Sequence, residues 1–121
     1  GHKQMREKNA HSIGVNLDAS GGAITDQVIF TCPNGYKAIV TMFFMSNVGG
    51  STTTVGAAWH DGAVVPFLGS KSLGAGDYVM FGGGVGQYMA ISQGDTIKVS
   101  VASGGTCGLI LSYNLVREDS Q

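Results

Sequence analysis

From residue 24 onward the apolar positions recur with a period of two. That spacing marks strands with one face on a core. TIKVSVAS shows it most cleanly, with Ile97, Val99 and Val101 on one side and Thr96, Lys98 and Ser100 on the other. CGLILSYNLV repeats it, placing Cys107, Leu109, Leu111, Tyr113 and Leu115 on one face. TTVGAAWH alternates Val55, Ala57 and Trp59, HDGA supplies an Asp-Gly hairpin turn, and AVVPFLG returns. Pro66 assigns that return strand to a sheet edge, because proline cannot donate to a ladder. DQVIFTCP, Tyr78 to Phe81 and QYMAIS are shorter strands, separated by PNGYK, GAGD and QGD turns.

The strand YKAIVTMFFMSN is apolar on both faces. Strict alternation puts Tyr36, Ala38, Val40, Met42 and Phe44 on one side, and Ile39, Phe43 and Met45 on the other. Such a strand requires cover on both sides. In a two-layer sandwich one side would face water, so Ile39, Phe43 and Met45 are expected to meet a second subunit. About eight strands, with turns roughly every 8 to 12 residues and no helical period, predict an all-β fold. The expected architecture is a single antiparallel β-sandwich or jelly roll spanning residues 23–117. Residues 1–22 read as an extended N-terminal arm, with DASGG as its hinge, and 118–121 as a charged tail.

Composition sharpens this picture. The chain has 121 residues, enough for one domain with its own core. Charged residues make up 12%, about half the usual share of ~25%, while 43% are hydrophobic. That balance suits a compact β protein with many turns, or one with surface hidden in an assembly. A net charge of −1 gives no general attraction to nucleic acid or an anionic membrane. Local positive charge gathers in the arm at Lys3, Arg6 and Lys8, which are candidate contacts to a partner protein. Three cations without interleaved aromatics do not make a nucleic-acid site. No apolar run reaches the ~18 residues of a membrane helix. Cys32 and Cys107 fit two buried thiols, or a disulfide if the fold joins them.

Chemical motifs are sparse. FGGGVGQ lacks the G-x-G-x-x-G spacing, since Gln87 stands where the third glycine is required, and no helix follows. Its glycines are expected to supply positive φ at a joint between strands. There is no G-x-S-x-G elbow, no P-loop and no Cys/His cluster. His60 and Asp61 share a turn without a third ligand, and Asp26, Asp77 and Asp95 also sit at turns or strand starts. No cofactor, metal or catalytic residue is expected. Trp59, Tyr78 and Tyr88 are the aromatic residues that a carbohydrate-binding module would use.

VIFTCPNGYKAIVTMFFMSNVGGSTTTV, then LGAGDYVMF with its glycine joint, then AISQGDTIKVSVASGG form an ordered pattern over roughly residues 26–116. It resembles small β-sandwich proteins and domains of tailed-bacteriophage virions. The resemblance implies a non-enzymatic structural protein, most simply a capsid cement or decoration protein. Such a protein would be a homotrimer in the virion, holding the major capsid protein or another virion protein through its arm. A tail, neck or fibre component is the alternative from the same fold. A carbohydrate-binding, host-recognition module is the alternative from another class.

Overall fold

The computed structural model describes residues 10–84 and 86–118. Lys3, Arg6 and Lys8 lie outside the described residues. The described chain is all-β and forms two antiparallel sheets packed as a sandwich. Its strands are β1 (Ala10–Asp18), β2 (Ile24–Thr31), β3 (Tyr36–Asn47), β4 (Thr53–His60), β5 (Val64–Leu73), β6 (Tyr78–Gly82), β7 (Met89–Ile91), β8 (Thr96–Val101) and β9 (Thr106–Arg117). The first sheet runs β1-β9-β3-β6, with β7 also paired to β3, and the second runs β2-β8-β4-β5. Pro66 lies on the edge strand β5, as its missing N–H requires.

The core lies between the sheets and follows the alternating rows. Ile97, Val99 and Val101 of β8 face Cys107, Leu109 and Leu111 of β9, all buried. Asn47 is buried among them without an unmet need. Its amide nitrogen donates to the carbonyls of Ser51 (2.8 Å) and Leu73 (3.0 Å), and its oxygen accepts from Gly49 N (2.9 Å). It thereby pins the loop after β3.

Two sequence expectations change here. The expected arm is drawn into the first sheet from Ala10 onward, because Ile13, Val15 and Leu17 alternate with Ser12, Gly14 and Asn16 and pair with β9. The second change concerns β3. Its pairing with β9 slips between Val40 and Met42, a β-bulge at Thr41 that reverses the side-chain phase. Ala38 and Val40 face the core before it, and Phe43, Met45 and Asn47 after it. Phe43 and Met45 are therefore fully buried within one chain and cannot reach a second subunit. Ile39 keeps its expected outward place, and Met42 and Phe44 join it.

The glycine joint explains how β3 tolerates the bulge. β6 pairs with Met42–Ser46 and β7 with Ala38–Val40, so both lie along one side of β3. Between them Gly83 N donates to the Thr41 carbonyl (2.8 Å) and Tyr88 N to that of Val40 (2.7 Å). Gly82 sits at φ +77°, and a Cβ there would overlap the Thr41 carbonyl. The Gly82→Ala variant is expected to lose about 2–3 kcal/mol, read as a lower urea midpoint.

The two cysteines are free and buried in this fold. Burial pushes both thiols above their ordinary value of 9.0, and likewise raises Tyr88 and Tyr113 above 10.0. A raised folded value stabilises the protein below the unfolded value and withdraws that stability as pH climbs through the folded one. The urea midpoint under reducing conditions is expected to hold from pH 7 to about 8 and fall above about 9. A Cys32→Ala/Cys107→Ala variant should fall less steeply over the same alkaline range.

Candidate functional site: an uncharged apolar sheet face

The outer face of the first sheet is built from the positions that alternate with the core. Cross-strand pairing aligns them in rows. Gly14, Ile110, Phe44 and Met80 form the central row. Asn16, Gly108, Ser46 and Tyr78 form the row on one side of it, and Ser12, Ser112, Met42 and Gly82 the row on the other. Beyond that lie Ala10, Asn114, Ile39 and Ala90. None of these positions carries a formal charge.

The apolar members are open to solvent. Tyr78 is 59% exposed, Met80 49% and Ile110 42%. Phe44 packs on Tyr78 with ring centroids 5.3 Å apart. Small residues beside Phe44 leave a shallow groove of about 460 Å³, floored by Gly14, Gly108 and Ile110 and flanked by Asn16 and Ser46. Ser12 and Ser112 satisfy each other across the strands, Oγ to Oγ at 2.9 Å. With strands about 4.8 Å apart and outward positions about 6.7 Å apart, the rows and their side chains cover roughly 500 Å². That area includes the polar side chains of Ser12, Asn16, Ser46, Ser112 and Asn114, so its apolar part is smaller. Charge flanks the rows at both ends: Lys37 meets Glu118 at 3.8 Å at one, and exposed Asp18 stands in the next row beyond Asn16 at the other.

The opposite outer face is different. There Thr54, Gly56, Ala58 and Ser100 line an open trough of about 440 Å³ that also holds Lys98 and Asp26. That trough is also lined by apolar residues, Val64, Pro66 and Leu68 among them, but unlike the rows of the first sheet it bears charge of both signs.

Among the described residues no group of three or more His, Cys, Asp or Glu could hold a metal. The aspartates stabilise turns. Asp77 accepts from Gly74 N (3.1 Å) and Asp61 from Ala63 N (3.4 Å). Asp18 accepts from Ser20 N (2.9 Å), and its hydrogen bonds to Ser20 hold its carboxyl below the ordinary value. Trp59 packs against the core and its indole N–H donates to Asp95 Oδ2 (3.4 Å). Tyr88 stacks on Phe81 at 5.5 Å and also packs against the core. Of the three aromatics considered for sugar stacking, Trp59 and Tyr88 are half-buried and Tyr78 is exposed, on the outer face of the first sheet.

The sequence found this face through Ile39 alone. Met42, Phe44, Tyr78, Met80 and Ile110 were hidden by the phase change at Thr41 and by lying on three different strands. No protein-family model matches the chain, and no curated protein matches it.

Proposed function

We propose that the protein is a non-enzymatic structural subunit that assembles through the outer face of its first sheet. The carrying observation is the continuous run of uncharged rows centred on Phe44, which three copies would bury against one another. Burial there gains apolar contact without desolvating a formal charge, whereas a charged face would incur that penalty. The glycines and serines at β1 and β9 let neighbouring backbones approach closely. The occupant is a second and third copy of the same chain, since the resemblance to phage virion sandwiches implies trimers.

The same resemblance supports a role in the bacteriophage virion, as a capsid cement or decoration protein that clamps capsid subunits. The strand orders β1-β9-β3-β6 and β2-β8-β4-β5 support a jelly-roll reading of the sandwich, an architecture frequent in viral shells. Residues 1–9, with Lys3, Arg6 and Lys8, would provide the contact to the capsid protein. Quantitative mass spectrometry of purified particles tests this role. A copy number comparable with the capsid subunit is expected. A handful of copies would overturn the cement role in favour of a tail, neck or fibre position, and complete absence would overturn both.

A further inference from the structure

The free strand edges of this fold are not alike. Among the described residues they are β1 and the β6/β7 pair in the first sheet, and β2 and β5 in the second. An open edge offers unpaired N–H and C=O groups to any extended chain, and proteins ordinarily blunt it. Three edges here are blunted. β2 slips register twice along β8 and holds Asp26 at φ 49°. β5 contains Pro66 and Lys71 and slips twice along β4. β6 and β7 are 5 and 3 residues long, separated by the glycine joint.

β1 has none of these devices. It pairs with β9 without a register shift from Ala10 to Asp18, contains no proline, and has no acidic or basic side chain before Asp18 apart from His11. Its inward residues Ile13 and Val15 pack on the core yet stay half-buried, because no strand of the described residues lies beyond them.

We propose that β1 pairs antiparallel with β1 of a second copy, across a twofold axis at Gly14. The sequence HSIGVNL is self-complementary about that residue. Gly14 meets Gly14, Ile13 meets Val15 on the inner side, and Ser12 meets Asn16 on the outer side. Asp18 meets Ala10, so the two like charges stand at opposite ends of the pair. Such a contact is isologous, as a twofold interface must be. It covers the open flank of Ile13 and Val15, satisfies the edge groups, and extends the Phe44 face into a second subunit. It does not depend on the trimer: the face closes one assembly, and the edge joins two.

Cysteine cross-linking of the purified protein tests the pairing. Directly opposed residues of an antiparallel pair lie about 4.5–5.5 Å apart at Cα, within disulfide reach. A Cβ at Gly14 meets only the Leu109 carbonyl oxygen, at 3.9 Å, so Gly14→Cys is accommodated. Native Cys32 and Cys107 are buried and do not compete. Under mild oxidation Gly14→Cys is expected to form a covalent dimer at least about tenfold faster than Thr54→Cys, an exposed collision control on the second sheet. Ser12→Cys alone should match the slow control, while a mixture of Ser12→Cys and Asn16→Cys should cross-link quickly. The urea midpoint of each reduced variant verifies folding. Gly14→Cys no faster than the control, or Ser12→Cys alone as fast as Gly14→Cys, would overturn the pairing. Neither result bears on the noncovalent mass that tests the Phe44 face.

Discussion

Replacing Phe44 with lysine is expected to release the subunits while leaving each one folded. Phe44 stands at the centre of the uncharged rows, between Ile110 and Met80. Assembly would bury an ammonium group there, and no acidic side chain occupies the surrounding rows to pair with it. The dissociation constant should rise at least about a hundredfold, equivalent to about 2.7 kcal/mol. Within the isolated chain Phe44 packs outward on Tyr78 and not into the core. The cost to the fold should stay within about 1 kcal/mol, the range of strand propensity. Sedimentation equilibrium against concentration measures the first effect and far-UV circular dichroism confirms the second. An assembly that survives Phe44→Lys undiminished would move the interface elsewhere.

The neighbouring residue should behave in the opposite manner. Phe43→Ala is expected to cost about 3–5 kcal/mol of folding stability, as for other buried aromatic truncations. Phe43 is fully buried, meets Phe67 edge-on at 5.3 Å and lies 6.1 Å from Phe81. Truncation would open a cavity in the middle of the aromatic cluster between the sheets. Met42→Ala, one residue earlier but outward, should change stability by less than about 1 kcal/mol. Urea denaturation of the two variants decides the matter. Because strict alternation would put Met42 inside and Phe43 outside, the pair reads the Thr41 bulge directly. Equal costs, or the reverse order, would contradict the phase change.

The strands of the body were legible because their alternation is strong and their turns are chemically marked. β8 and β9 declare their buried rows, Asp61-Gly62 marks a hairpin, and Pro66 announces an edge. The glycine joint was legible too, since FGGGVGQ fails the phosphate-binding spacing and Gly82, Gly83 and Gly86 all take positive φ. β1 was harder to read. Its apolar residues Ile13, Val15 and Leu17 are separated by Ser12, Gly14 and Asn16, and an edge strand with one wet side resembles a polar arm. The bulge left no mark at all. YKAIVTMFFMSN is apolar in both phases, so one extra residue at Thr41 exchanges Phe43 and Met45 for Met42 and Phe44 without altering the pattern. That β3 carries apolar residues on both sides was thus legible, while the side chains that share its outer face were fixed by pairing across four strands.

Molar mass in solution, by light scattering after gel filtration, tests the assembly face most directly. Three chains of 12.5 kDa are the expected particle, or six where β1 edges also pair two trimers. A stable dimer would contradict the threefold face and leave the β1 pair standing. A monomer that persists at high protein concentration would contradict the claim that copies of the chain cover the Phe44 face.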